Sequence, residues 1–349
     1  MKRIDAGKQF WADFPMVGYN ADGLFIDVNM FHFSLGNGEG NNEGSGFHNA
    51  RVYALDMANL NDVTTTDLPA DQFYTMYPAV MHGAQPGTPM EFVLSSGLED
   101  MTVGRLTNTF GGQPEDFQFT QLPLGPASAF GKPAPPSQPG EGDFRPGVDS
   151  LLIISKVAAA AWRDNSLVVA QTIGHPQGGL NTNAVRWYEI DTAGPKPQLQ
   201  YFGTIFRRVG VDVYHPSIDI NAAGDLGLTF MQSSGRPGAF EFPSMYVGVF
   251  PRSSFPAPPS PGHPAIRVRN DPATSIFLAK AGVAPLNSVE NNTSPPRYRA
   301  GDYSSTAVDL VYNTTFWAAN EYATDQPRNV NGTPFRNWGT FIQSFGVTS

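Results

Sequence analysis

The 349-residue chain contains no cysteine. That excludes disulfides, thiolate metal sites and cysteine nucleophiles, though it leaves the compartment open. Charge is scarce too: only 15% of residues are Asp, Glu, Lys or Arg, against about 25% in a typical globular domain. The net charge is −9, and no basic run exceeds a pair such as Arg207-Arg208. With no phosphate-tracking stripe, nucleic acid is excluded as a partner. Long apolar runs are also missing. The best, "LLIISKVAAAAW", is interrupted by Lys156 and falls short of the roughly 20 residues of a membrane span. The opening "MKRIDAGKQFWADF" has basic residues but no apolar core behind them, so it does not read as a signal peptide. No Gly-x-Ser-x-Gly elbow occurs, and the histidines at 32, 48, 82, 175, 215 and 263 lack His-x-x-x-His or His-Glu-x-x-His spacing. A nucleophile elbow and a helical zinc site are therefore excluded, and no metal ligands are assigned. The acidic turns "NADG" and "NAAGD" do not continue into a calcium-loop pattern. The expected cofactor is none, with Ca2+ held between loops the one option left open.

What the chain does have is turns and rings. It carries 36 Gly and 31 Pro, is 12% aromatic, and at 40% hydrophobic can bury a sizeable core. Such a composition suits short strands joined by many loops. The stretch "VGYNADGLFIDVNM" (17–30) has a near twin in "IDINAAGDLGLTFMQ" (218–232): an apolar run, an Asn-led turn with Gly, then a second apolar run. Five such hairpins can be aligned, starting near Asp13, Met76, Lys156, Tyr214 and Asp302. Third alternating strands follow at 50–60, 101–110, 184–194, 244–253 and 337–347, and fourth strands at 117–124, 198–207 and 275–280. First strands are rich in small residues and second strands in bulky ones. This pattern predicts an all-β protein, a β-propeller of four-stranded antiparallel blades with five units visible.

The segment "SLGNGEGNNEGSGFH" (34–48) reads as a surface loop, since neither a following Lys-Ser/Thr nor a helix supports a phosphate cradle. "FGKPAPPSQPGEGDFRPG" (130–147) and "FPAPPSPGHP" (255–264) read as long crossings within one domain spanning 1–349.

The pieces "FWADFPMVGYNADGLFIDVNMF", "NAVRWYEIDTAG", "YHPSIDINAAGDLGLTFMQSS", "YRAGDYSSTAVDLVYNTTFWAANEY" and "NWGTFIQSF" resemble a group of secreted bacterial β-propeller proteins related to the sialidase superfamily, mostly without an established activity. The resemblance covers nearly the whole chain and implies a secreted or cell-surface location. Relatives usually carry a signal peptide and one or two further N-terminal blades, so the chain resembles their C-terminal blades. The Asp-boxes of true sialidases are absent, and their catalytic Tyr/Glu pair and arginine triad map onto no position here. The resemblance thus implies the fold and not the activity.

Aligning the hairpins places Asp13, Met76, Lys156, Tyr214 and Asp302 at the start of each inner strand, with Phe14, Tyr77, Val157, His215 and Tyr303 next. In a propeller these positions face the channel mouth. Lys156, Tyr214, His215 and Tyr303 are therefore the expected ligand contacts, together with Trp11 as a sugar-stacking ring. Asp13, Asp302 and Glu321 are the carboxylates available for acid–base glycoside cleavage. Their alternative role is structural, since inner-strand aspartates cap backbone N–H groups between blades. Without a nucleophile motif, metal cluster or Asp-box, the expected function is extracellular, non-catalytic binding of a glycan or protein partner through the channel face and long loops. Glycan cleavage is the alternative. The final unit ends at its third strand, so its edge is expected to pair either with residues near the N-terminus or with a second chain.

Overall fold

The computed structural model describes residues 3–5, 8–32, 47–69, 74–95, 100–124, 131, 133–140, 157–177, 180–260, 262–268, 276–286, 289–290, 297–298, 301–325, 328–330, 333–335 and 338–347. Among these there is no α-helix, only strands, turns and two single-turn 3₁₀ segments, at Pro114–Asp116 and Arg252–Ser254. Contacts divide the chain into two units. One holds residues 1–96 and 101–122, the other 97–100 and 123–349.

In the first unit, β1 (Arg3–Asp5), β2 (Lys8–Tyr19), β3 (Gly23–His32), β4 (Phe47–Asp56) and β5 (Val63–Leu68) form one antiparallel sheet in chain order. The next inner strand is split into β6 (Tyr77–Pro78) and β7 (Val80–His82). Pro78 brings no N–H to the ladder, which favours a break there. The second sheet runs β6, β8 (Met90–Ser95), β9 (Asp100–Leu106) and β10 (Phe117–Pro123). β7 instead meets β2 in parallel at Tyr19 and Val80. The two backbones touch because residue 18 is glycine: a Cβ there would lie 2.5 Å from the Ala79 carbonyl oxygen. No other residue fits that approach.

In the second unit the strands β11 (Val157–Arg163), β12 (Ser166–Gln177), β13 (Leu180–Asp191) and β14 (Gln198–Ile205) form an antiparallel sheet. It is followed by β15 (Asp212–Ile220), β16 (Leu226–Ser234), β17 (Glu241–Phe250) and, after β18 (Ile266–Arg267) has joined β14 in parallel, β19 (Ile276–Lys280). Two short hairpins, β20 (Val289–Glu290) with β21 (Arg297–Tyr298) and β24 (Arg328–Val330) with β25 (Thr333–Phe335), lie among the remaining strands. The last sheet is β22 (Ser305–Val308), β23 (Thr315–Ala323) and β26 (Trp338–Gly346).

The fold is all-β with propeller-like antiparallel blades, as expected. The five hairpins and the third and fourth strands fall where the turn chemistry placed them; β5 is a fourth strand that the sequence pattern did not indicate. Burial tracks position in the sheet. All nine residues of β16 are buried, as a central strand covered on both faces requires, whereas β26 alternates between intermediate and exposed. On β11 the run Ala159-Ala160-Ala161 is buried, and its small side chains suit a crowded inner strand.

The twin turns share one mechanism. The Asn20 side-chain oxygen accepts from Asp22 and Gly23 N–H, both at 2.9 Å, while its amide donates to the Thr88 carbonyl just before β8. Asn221 likewise accepts from Ala223 and Asp225 N–H and donates to the Thr314 carbonyl just before β23. Each asparagine closes its own hairpin and ties it to the turn of the next sheet. That is why the same words recur so far apart.

Acidic and polar caps between sheets complete the wiring. Asp27 accepts the Met76 N–H at 2.9 Å, and Asn29 exchanges two hydrogen bonds with Thr75. In the second unit Ser217 accepts the Thr306 N–H and Asp219 accepts that of Val308, at 2.8 and 2.9 Å. Asp219→Ala is expected to destabilise the fold by about 1–3 kcal/mol, because the buried Val308 N–H would lose its acceptor. Asp219→Asn, which keeps an oxygen, should cost less. Urea denaturation of both variants checks this; equal losses would mean the cap contributes nothing specific.

Candidate functional site

The expected site residues fall in both units. Trp11, on β2, is 39% exposed and stacks on its cross-strand partner Phe31 with centroids 5.3 Å apart. The ring contacts continue from Phe31 to Phe47 (5.9 Å) and from Phe47 to Tyr74 (4.6 Å), whose ring is 43% exposed. Asp13 stands beside this ribbon. It is exposed and accepts the N–H of Phe14 at 2.9 Å. Partial burial, with the Asp13 charge as a second cause, pushes the Tyr74 hydroxyl above its ordinary pKa. Phe14 has φ of 52° at a register shift between Asp13 and Met16. A bulge with left-handed backbone re-aims the side chains around it.

His215 repeats this geometry in the second unit, with φ of 49° at the register shift between Tyr214 and Ser217. Its ring meets that of Tyr214 edge-on at 5.5 Å, and its Nε2 is buried without a hydrogen-bond partner. Burial lowers its pKa to about 4, so the ring is neutral at physiological pH. Tyr214 is fully buried, and burial pushes its hydroxyl well above the ordinary range. The hydroxyl donates to Ser233 Oγ, which donates to the Ser137 carbonyl.

Ser137 belongs to the Pro-rich segment 133–140, which is fastened along the second unit. Its N–H and hydroxyl both donate to Asp212, and Asn183 and Ala134 exchange two hydrogen bonds. Gln138 and Leu286 exchange another pair. The described part of that crossing, residues 133–140, is thus a strap, and it engages the network that the Tyr214 hydroxyl enters.

Glu321 is buried on β23 and accepts the Gly301 N–H at 2.6 Å, fixing the backbone just ahead of Asp302. A Cβ at residue 301 would collide with that carboxylate. Asp302 is exposed, and Tyr303 is 48% exposed. The neighbouring Asn320 donates to the His215 carbonyl at 3.1 Å. The structure therefore gathers Tyr214, His215 and the Glu321 strand in one neighbourhood of the second unit. Trp11 and Asp13 belong to the first unit, and Lys156 lies outside the described residues. Among the described residues no group of three or more His, Asp and Glu could hold a metal ion, and no helix is long and apolar enough to cross a membrane.

A feature missed in the sequence lies at the far ends of the strands of the second unit. A polar cleft of about 440 Å³ is lined by the β11–β12 turn (Arg163 to Ser166), by Glu189 and Asp191 on β13, by Gln200, by the β15–β16 turn and by Arg252. The β11–β12 turn is a two-residue hairpin whose Asp164 and Asn165 have φ of 49° and 67°, the conformation that Asp and Asn tolerate. Glu189 is almost wholly buried. Its Oε1 accepts from Ser166 Oγ at 2.5 Å and from Arg252 at 2.9 Å, and its Oε2 has no partner. Arg252 also donates to the Gly224 carbonyl and lies 4.6 Å over the Phe255 ring. The i, i+2 spacing in "WYEID", which puts Glu189 and Asp191 on one face of a strand, was the available signal.

No family model matches the chain, and no curated protein matches it in sequence. Among solved structures, one named "Glycoside hydrolase" aligns over 100% of this chain and 91% of its own, with a TM-score of 0.38 and 10% identity. Another, a complex of BT0996 named with RGII, aligns over 98% of this chain and 89% of its own length, also at 0.38 and 10%. A protein of unknown function from Dyadobacter fermentans aligns over 96% of this chain and 95% of its own, at 0.36 and 10%. At such scores and identities none of the three bears on the fold or chemistry of this chain.

Proposed function

We propose that this protein binds a glycan without cleaving it, through the aromatic ribbon Trp11–Phe31–Phe47–Tyr74 with Asp13 at its side. The observation that carries this is a continuous series of ring contacts with exposed rings at both ends and an exposed carboxylate beside it. Ring faces offer large, rigid apolar area that suits the C–H faces of a sugar, and a carboxylate accepts sugar hydroxyls. Cleavage would require two carboxyl groups flanking one glycosidic bond. Of the three carboxylates available, Glu321 is occupied by a backbone N–H and Asp13 bonds its own neighbour. Both engagements favour binding over catalysis.

A glycan array followed by titration with the best oligosaccharide tests the reading. Trp11→Ala should weaken binding by about tenfold or more, about 1.4 kcal/mol, as removal of an aromatic anchor does. The melting temperature should fall only modestly, because the partly exposed ring loses one stacking contact, with Phe31. A hydrolase screen on the same sample separates the alternative: turnover lost in Asp302→Asn and Glu321→Gln would replace binding with catalysis.

A further inference from the structure

The cleft of the second unit presents unneutralised charges of both signs. Arg163 reaches the Ile220 carbonyl and the Asn313 side chain only at 3.3 and 3.4 Å and has no carboxylate partner among the described residues. Asp191 accepts the Ala193 N–H of its own turn, and Asp164 is exposed on the hairpin tip. Neither is paired with a cation among the described residues. Between them Arg252 pairs with Glu189 through one oxygen, leaving the buried Oε2 without a donor. A buried acceptor of this kind is costly unless something supplies a hydrogen.

We propose that this cleft is a binding site for a small zwitterion of the amino-acid type. The ligand's ammonium meets Asp191, with the buried Glu189 carboxylate behind it adding to the negative field, and its carboxylate meets the guanidinium edge of Arg163. A ligand of single sign would satisfy one half of the lining and face like charge from the other. The acidic groups outnumber the basic ones, with Asp164, Glu189 and Asp191 against Arg163 and Arg252. A second ammonium is therefore accommodated, and L-lysine is the preferred member of the class. The site is independent of the aromatic ribbon, which lies in the other unit.

Calorimetric titration of the full chain with L-lysine, L-alanine, acetate, methylammonium and methyl glucoside tests the assignment. L-lysine should bind saturably and more tightly than L-alanine, with the three single-function probes weaker than either. Arg163→Gln and Asp191→Asn should each weaken L-lysine by about tenfold or more, the worth of one charge-assisted hydrogen bond. Both residues are only partly buried, Gln at 163 keeps an N–H donor and Asn at 191 can still accept the turn N–H, so melting temperatures should stay close to the parent. Trp11→Ala should leave L-lysine binding intact, which separates this site from the glycan reading. Absence of saturable binding overturns the proposal. So does methyl glucoside or acetate binding as tightly as L-lysine, or full affinity in either charge variant.

Discussion

Trp187→Ala is expected to cost about 3–5 kcal/mol, the range for a large aromatic removed from a packed core. Trp187 is fully buried on β13 and stacks on Phe255 at 5.6 Å, with Phe250 at 6.0 Å. Its cross-strand partner is Gly203, where a Cβ would run into the indole. The ring therefore fills space that a glycine was needed to vacate, and no side chain at that position can collapse into the void. The indole N–H has no hydrogen-bond partner, so the loss is one of packing and not of polar pairing. The damage should spread to the cleft, because Phe255 also carries Arg252 against its face. Urea denaturation gives the first quantity and L-lysine titration the second. A loss below about 1 kcal/mol would mean that the site repacks, contrary to what the glycine implies.

A second large effect concerns pH. Glu91 is buried in the first unit, its Oε1 accepting from Arg105 at 2.9 Å while its Oε2 has no partner. Burial raises its pKa from 4.5 to about 7, against the opposing pull of Arg105. Between those values the folded chain keeps a proton that the unfolded chain has released. The stability this group contributes is therefore full below about 4.5 and is lost as pH rises through about 7. The whole span is worth on the order of 3 kcal/mol. His215 acts in the opposite sense. Its pKa falls from 6.5 to about 4, so its contribution is present above 6.5 and lost as acidification proceeds toward 4. The parent curve mixes the two, but a variant isolates one. Glu91→Gln should lose much less stability than the parent between pH 5 and pH 8, measured by chemical denaturation. Parallel curves for the two proteins would show that Glu91 does not titrate in this window.

Much of the blade layout was legible because it is local. Alternating residues and turn chemistry act over fewer than about ten residues, so Asn20, Asn221 and the Asp164-Asn165 pair announce their hairpins by themselves. Two aspartates that the sequence did not single out, Asp27 and Asp219, cap backbone across sheets. Nothing in the sequence distinguishes these aspartates, since the donors they meet, at Met76 and Val308, lie 49 and 89 residues away. Tyr214 looked available to a ligand because its position opens an inner strand. Its hydroxyl is instead tied, through Ser233, to a strap whose Ser137 is distant in the chain.

The sequence by itself determined the class: all-β, antiparallel sheets led by hairpins, and no cysteine chemistry. Those properties follow from composition and from short-range periodicity, which survive any arrangement of the sheets. Only the tertiary structure decided which polar groups are consumed and which remain open. It gave the Glu321 carboxylate to the Gly301 N–H, buried Nε2 of His215 without a partner, and joined Arg163, Glu189, Asp191 and Arg252 around one cleft. The physical reason is that burial and hydrogen-bond satisfaction belong to the neighbours a side chain meets, and in stacked sheets those neighbours come from far along the chain.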